Sequence, residues 1–293
     1  MFTKNTRLWV GLALVLSLVA IGSKCGGGTP NGNETPAPTT GKELKTTGNE
    51  GAITGSIAYA GTPPAPKKID ASADPVCASK NPNLQTEENV VANGKLANVF
   101  VYIKDGTLAD GSKVGDYSSF GATPAEVTLD QSGCHYVPHV MGVQVGQKVK
   151  ITNSDPTQHN IHFTPKSNPE WNQSQPNGAA PIEKTFARSE ILVPVKCNQH
   201  PWMKSYIGVT KHPFFAVSAA DGTFTIKGVP PGTYTVVAWH EGGVDGISQN
   251  KSVTVAAKGS STADFSFGST AAAVNKPSLE MMPALEVPML GRH

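Results

Sequence analysis

The chain has 293 residues, of which 30 are glycine and 23 proline, and only 16% are charged. That length holds one or two domains with real cores, and the glycine and proline share stays below what marks low-complexity disorder. A formal charge of +2 without any basic run argues against a nucleic-acid binder.

Residues 1–7 carry Lys4 and Arg7 and no acid, and Leu8 to Ile21 is almost wholly apolar. As a helix that run would span about 21 Å, short of the ~30 Å hydrocarbon core of a bilayer. A basic start, a short apolar stretch and then small residues predict a secretory signal over 1–24 rather than a membrane anchor. Residues 25–50, rich in Gly, Pro, Thr and Asn, are too polar to collapse and predict a flexible tether. Its coil would reach about 28 Å r.m.s., from ~5.5 Å × √n. Cys25 followed by Gly26-Gly27-Gly28 resembles the acylated junction of bacterial lipoproteins. The resemblance implies a lipid at Cys25, the membrane being reached only through it. The protein is then expected in the periplasm or on the outer face of a bacterial membrane. Loss of residues 1–24 removes Lys4, Arg7 and Lys24 and no acid, which turns the net charge from +2 to about −1.

From Ile53 onward short alternating apolar runs are broken by turn residues, which predicts an all-β fold, a sandwich or a barrel. The runs include Ile53/Gly55/Ile57/Tyr59, Val99/Val101/Ile103, Val143/Val145, Ile191/Val193/Val195, Phe224/Ile226 and Val253/Val255. Asp221-Gly222 predicts a hairpin and Pro230-Pro231-Gly232 a tight turn. No segment keeps a helical apolar period over three turns, although residues 74–96 have room for one short helix. The tail 271–293 loses the alternation, carries Pro277, Pro283 and Pro288, and is expected to be disordered.

The chemistry concentrates between His159 and Met203. Cys197-Asn-Gln-His200-Pro-Trp-Met203 places a thiol, an imidazole and a thioether within one short loop. These soft and borderline donors suit a copper ion cycling between Cu(I) and Cu(II). A second imidazole must come from another strand, and Gln158-His159-Asn160-Ile161-His162-Phe163 offers two. Strand parity puts His159 with Ile161 and Phe163 on one face and His162 with Asn160 on the other. The apolar face is the better core face, so His159 is the expected ligand and His162 the alternative. Cys197 similarly ends the odd-numbered face of Ile191, Val193 and Val195. His135, His139, His212 and His240 stand singly among aromatics and prolines and are expected to have structural roles.

The pairing of Asn153-Ser-Asp-Pro-Thr-Gln-His159-Asn160 with Cys197-x2-His200-x2-Met203 resembles the cupredoxins, the type 1 blue copper carriers related to plastocyanin. The run from Tyr136 through Gly146 to Asn153 is similar to their strands leading to the first ligand. The resemblance implies a Greek-key sandwich over 116–212 holding one type 1 copper. His159, Cys197 and His200 would be equatorial ligands, Met203 the axial one, and Asn160 and Asn198 would support them. Met203 follows His200 more closely than in plastocyanin-like loops. The spacing is similar to the binuclear loop of cytochrome oxidase subunit II, but a second loop cysteine is missing. Zinc is disfavoured by the single nearby Cys and the Met, and a multicopper oxidase by the few His. The implied function is single-electron transfer without catalysis. Electrons would leave by an exposed edge of His200, beside an apolar Pro201/Trp202 patch that docks a redox protein such as a cytochrome. Alternatives are copper capture or delivery with the same ligands, or a non-redox adhesion or scaffold module.

With Cys25 read as a lipid site and Cys197 as a ligand, Cys77 and Cys134 remain as a pair, and an exported protein permits their disulfide. Phe215 to Tyr234, with its Asp-Gly and Pro-Gly turns, resembles the carboxypeptidase regulatory-like β-sandwich. Ile53 to Gly61 and Asn98 to Lys104 look like that module's first two strands. The resemblance implies a sandwich made of 51–115 plus 213–270, into which the cupredoxin is inserted. The alternative is two sandwiches in series.

Overall fold

Alternation along the chain becomes strand pairing almost everywhere in the computed structural model, which describes residues 41–121, 124–242 and 246–268. The predicted signal 1–24, Cys25, the tether up to residue 40 and the tail 271–293 therefore lie outside the described residues. Among the described residues the chain is all-β apart from the helix Pro75–Lys80 and a 3-10 turn at Val114–Asp116.

Two sheets built from residues 127–210 face each other. One runs Ile182–Lys184, Val149–Asn153, Val127–Ser132, His135–Val137; the other runs Trp171–Gln175, His159–Phe163, Glu190–Lys196, Lys204–Thr210, Val140–Gln144. The consecutive strands Val140–Gln144 and Val149–Asn153 thus lie in opposite sheets, and each pairs in parallel with a strand distant in sequence. Leu129, Val149 and Ile151 from the first sheet meet Ile161, Phe163, Val193, Val195 and Ile207 from the second in one apolar core. Burial of this kind stabilises by about 25 cal/mol per Å² of apolar surface, and it is what holds the two sheets together.

A second pair of sheets draws its strands from both ends of the chain. Phe215–Val217, Phe100–Leu108, Gly232–His240 and Ile247–Val255 form one. The other contains Thr223–Val229, Gly51–Ala60, Lys95–Leu96 and Val91–Ala92, with Ser260–Thr262 and Phe265–Gly268 added in parallel along Gly51–Ala60. Ile53, Ile57, Val101, Ile103, Phe224, Ile226 and Val236 fill the space between them.

Two local expectations are corrected. Asp221-Gly222 does form a tight turn, with Gly222 at φ 74° and Asp221 Oδ1 accepting from the Thr223 N–H at 2.9 Å. Yet it joins no hairpin, because Phe215–Val217 and Thr223–Val229 belong to different sheets. The distant strand Gly51–Ala60 pairs with Thr223–Val229 instead, and the Ile57 N–H donates to the Gly222 carbonyl at 2.8 Å. The Pro230-Pro231 turn also crosses between sheets, and the Tyr234 hydroxyl fastens it by donating to the Pro230 carbonyl at 2.7 Å. The second correction concerns Ile191, expected on the core face with Val193 and Val195. The register shifts between Glu190 and Val193, Leu192 takes φ 63°, and Ile191 turns to solvent at 37% exposure. A bulge of this kind reverses the facing of the residues before it.

Leu192 consequently joins Phe100, Val140 and Trp239 in a small cluster between the two sandwiches. Gly142 and Gly208 are register partners on the neighbouring strands. A Cβ on Gly208 would come closer than 3.0 Å to the Phe100 ring, and one on Gly142 as close to both Phe215 and Phe100. The paired glycines leave the sheet bare where Phe100 lies. Beside this contact His139, ahead of strand Val140–Gln144, bonds through Nε2 to Glu241, which follows strand Gly232–His240. Its Nδ1 lies 3.5 Å from Glu87, which also pairs with His135 at 2.9 Å.

The excursion between Ala60 and Val91 folds against the first sandwich. Asp74 caps the helix Pro75–Lys80, its Oδ1 accepting from the N–H groups of Val76 at 2.8 Å and Cys77 at 3.2 Å, and Pro75 occupies the first turn where its missing N–H costs nothing. Cys77 is bonded to Cys134 across a sequence separation of 57. Closing a loop of that size stabilises by about 4 kcal/mol in the chain-entropy model.

Gly208→Ala is expected to cost about 1–3 kcal/mol by overpacking against Phe100. Urea unfolding reads this, and the cost should shrink in a Phe100→Leu background, where the ring has been removed. A second expectation concerns pH. Burial opposes charge on both Glu87 and His139. For Glu87, His135 and then His139 outweigh it, holding it down to about 2; for His139, Glu241 and then Glu87 outweigh it, holding it up to about 9. Glu87 therefore contributes stability above its unfolded value near ~4.3 that is lost as pH falls toward 2. His139 contributes below its unfolded value near ~6.5 and loses this as pH rises toward 9. Wild-type stability should show the combined contribution at full strength from about pH 4.5 to 6.5. In thermal unfolding Glu87→Gln should flatten the acid limb, while Glu241 keeps most of the alkaline one.

Candidate metal centre

Parity positions the first imidazole. His159, Ile161 and Phe163 are buried at no more than 1% exposure, and His162 on the opposite face is only partly buried. Strand Glu190–Lys196 pairs antiparallel with this strand, His162 opposite Lys196, so the chain delivers Cys197 next to Asn160. Beyond Cys197 the chain turns back at once. The Met203 N–H donates to the His200 carbonyl at 2.9 Å, and the Cys197 N–H donates to the Met203 carbonyl at 3.2 Å. These two bonds close the loop and present Cys197, His200 and Met203 to the same interior, with Met203 fully buried in the core that holds Cys197.

One nitrogen each of His159 and His200 and the Cys197 Sγ lie within 4.8 Å of one another. The two Nδ1 atoms are 2.9 Å apart, and Sγ is 3.7 Å from the His200 Nδ1. The remote nitrogens are both held by carboxylates: His159 Nε2 bonds Asp155 Oδ2 at 2.9 Å, and His200 Nε2 bonds Asp74 Oδ2 at 2.9 Å. The Asn160 N–H points at Sγ from 3.5 Å. Asn160 Oδ1 accepts from the Asn198 N–H at 2.7 Å, which joins the two ligand segments. Tyr136 donates its hydroxyl to the Asn160 carbonyl, and Asn160 Nδ2 donates to Asn172 at 2.7 Å.

The electrostatics follow from this arrangement. Burial disfavours charge on His159, but Asp155 and Cys197 outweigh it and push its pKa up to about 9. Burial also opposes a Cys197 thiolate, yet His159 and the N–H groups of Asn160, His200 and Gln199 bring the thiol down to about 7. Both shifts favour a protonated His159 beside a Cys197 thiolate in the metal-free site. The facing Nδ1 atoms and Sγ are the three atoms that would hold a cation at this place. A thiolate and two imidazoles, with a thioether buried nearby, form a donor set that fits copper better than zinc.

His162 does not join this group: its Nδ1 contacts Asn198 Oδ1 at 3.0 Å and its Nε2 contacts Glu170 at 2.5 Å. The exposed edge expected of His200 is absent. The residue is 5% exposed, with Asp74 bonded to its outer nitrogen and the Trp202 ring 5.1 Å away. The Trp202 indole N–H donates inward to the Cys134 carbonyl at 3.2 Å. Above them lies a recess of about 260 Å³ bordered by Ala73, Asp74, Thr157, Gln199, His200 and Trp202. The other predicted structural histidines lie elsewhere. His135 and His139 engage Glu87, His212 stacks on Phe214 and is pushed down to about 4 by burial, and His240 packs beside Phe267.

Sequence reasoning missed Asp74 and Asp155. Asp155 lies four residues before His159 in a turn, where no periodicity aims a side chain. Asp74-Pro75 carries a recognisable helix-start signal, but only the folded chain brings it to His200.

The family model for polysaccharide lyase family 4, domain II, matches residues 186–263, a stretch running from the strand before Cys197 into the second sandwich. No curated protein matches the chain. Among solved structures, a reduced Cu(I) form of amicyanin is 24% identical with a TM-score of 0.26, covering 30% of this chain and 85% of that one. Another amicyanin Cu(I) structure is 18% identical at a TM-score of 0.26, covering 38% of this chain and 98% of that one. The Cu-containing nitrite reductase from Thermus scotoductus SA-01 is 22% identical with a TM-score of 0.27, covering 30% of this chain and only 23% of its own length. These likenesses are weak and partial, and the chemistry above stands on the donor geometry.

Metal uptake should displace the His159 proton, and below pH 7 the Cys197 proton as well. Affinity measured by chelator competition is expected to rise about tenfold per pH unit from 7 to 9 and more steeply below 7, levelling above about 9. A pH-independent affinity across that range would contradict the assignment.

Proposed function

We propose that this chain is a mononuclear type 1 copper protein that passes single electrons between redox proteins and catalyses no reaction of its own. The observation that carries the reading is the convergence of the Cys197 thiol with His159 and His200 in a buried pocket. Met203, buried in the same core, would add a weak thioether donor. Bound copper would supply the one-electron couple. The chain's own part is to keep the donors still and dry: the loop is closed by its backbone bonds, and the thiolate accepts from the Asn160 N–H. A rigid, water-poor site changes little between oxidation states, which keeps the reorganisation on electron transfer small.

Because Asp74 covers the His200 edge, the partner, a cytochrome or similar carrier, would dock at the recess beside Trp202 and Pro201. Capture or delivery of copper with the same ligands is the competing reading, and the covered His200 is the observation that favours it. We further read the protein as exported, with the signal over 1–24 and a lipid at Cys25. The second sandwich we read as carboxypeptidase regulatory-like, with the copper-binding segment 116–212 inserted into it. The pairing of Gly51–Ala60 with Thr223–Val229 supports that insertion.

Cu(II) added to the soluble part should give an intense blue thiolate-to-copper absorption at one copper per chain. Cys197→Ser should abolish it and His162→Gln should leave it unchanged. A colourless wild type sinks the type 1 reading. Voltammetry then separates the two functions, since a carrier must cycle rapidly and reversibly while a capture protein need not.

A further inference from the structure

Each ligand histidine is backed by a carboxylate, and each carboxylate is held by the backbone of a cysteine of the same disulfide. Asp155 Oδ2 bonds His159 Nε2 at 2.9 Å and accepts from the Cys134 N–H at 2.8 Å, while Oδ1 accepts from the Gly133 N–H at 2.7 Å. Asp74 Oδ2 bonds His200 Nε2 at 2.9 Å, and its Oδ1 accepts from the Cys77 N–H at 3.2 Å. Thr157, in the turn between Asp155 and His159, donates its hydroxyl to Asp74 Oδ2 at 3.1 Å and so ties the two arms. His159, Asp155, Cys134, Cys77, Asp74 and His200 thereby form a ring, closed by the 2.9 Å contact between the two Nδ1 atoms.

We propose that Asp74 and Asp155 are the positioning residues of this site, aiming both Nδ1 atoms at one point, and that the Cys77–Cys134 disulfide holds the pair in place. The proposal deepens the copper reading and rests on it for the identity of the metal. A neutral imidazole carries one N–H, and a carboxylate behind Nε2 keeps that hydrogen there and leaves the Nδ1 lone pair free for the metal. The nearby negative charge also makes the imidazole a stronger donor and favours Cu(II) over Cu(I). No strand pairing links Asp74 to the site sheets; it caps the start of a six-residue helix. The disulfide is the covalent bond that keeps that helix over His200.

The two functions of Asp74 use different oxygens, which allows them to be separated. In Asp74→Asn the amide oxygen can keep the helix cap, and the amide NH2 then faces the His200 Nε2–H, while the Thr157 hydroxyl can turn to accept. That conflict drives His200 to the Nδ1–H form and turns its lone pair away from the metal. Asp155→Asn meets the same conflict, since both oxygens of Asp155 accept from N–H groups.

The test combines nitrogen NMR of the 15N-labelled copper-free protein with Cu(II) competition and voltammetry on the loaded full-length chain. In the wild type His200 should carry its hydrogen on Nε2; in Asp74→Asn it should move to Nδ1. Both Asn variants should bind Cu(II) about 10–100-fold more weakly and show a raised midpoint potential. Asp70→Asn, whose carboxylate meets Ser72 and Lys68 in its own exposed segment, should change nothing. The Cys77→Ala/Cys134→Ala double variant should lose Cu(II) affinity as the Asn variants do. Should it fail to fold, the two Asn variants decide alone. The proposal is overturned if Asp74→Asn keeps the wild-type His200 tautomer, if both Asn variants keep wild-type affinity and potential, or if they lower only unfolding stability. A wild type that binds no copper overturns the copper reading, and the metal-free tautomers then still decide the carboxylate assignment.

Discussion

Two imidazoles with facing nitrogens 2.9 Å apart and a thiol beside them form a costly group to bury. Both rings lose their water, and two lone pairs confront each other unless something positive lies between them. The protein meets that constraint with a carboxylate behind each ring, whose negative charge favours something positive between the nitrogens. The carboxylates would be costly to bury in turn, and each is satisfied by backbone N–H groups and its own histidine. Much of the rest follows from keeping this polar group together. The sandwich core of Ile161, Phe163, Val193 and Val195 fixes the strands that deliver His159 and Cys197, and the disulfide ties down the helix that Asp74 caps.

The second sandwich touches this site only indirectly. Its contact is the bare patch at Gly142 and Gly208 that receives Phe100, extended by the bulge at Leu192 and by the His139–Glu241 bond. Strand Lys204–Thr210, which carries Gly208, begins directly after Met203. Packing against Phe100 therefore restrains the strand that follows the loop of Cys197, His200 and Met203. The bulge that exposes Ile191 belongs to this interface, because it is what turns Leu192 toward Trp239 while Val193 and Val195 keep facing the core.

Some of this was legible one residue at a time. Alternation in Ile161/Phe163 and Val193/Val195 marks core faces because a strand's side chains alternate whatever its partners are. The same parity distinguishes His159 from His162, and soft donors spaced through Cys197, His200 and Met203 declare their chemistry locally. The signals that misled were also local. Asp221-Gly222 describes a backbone turn correctly but says nothing of which sheet takes the next strand, and a strand from residues 51–60 took it. Alternation carried back from Val193 to Ile191 failed because a single residue at positive φ resets the count.

The sequence by itself determined the all-β character, the facing of His159 and the donor types, since each depends on neighbours within a few bonds. The tertiary structure alone decided that Asp74 and Asp155 back the imidazoles, that His200 is covered, and that Phe100 meets Gly142 and Gly208. Those outcomes depend on distances between segments far apart in the chain. They are set by which sheets pair and by where the Cys77–Cys134 bond brings the short helix, and no local pattern encodes either.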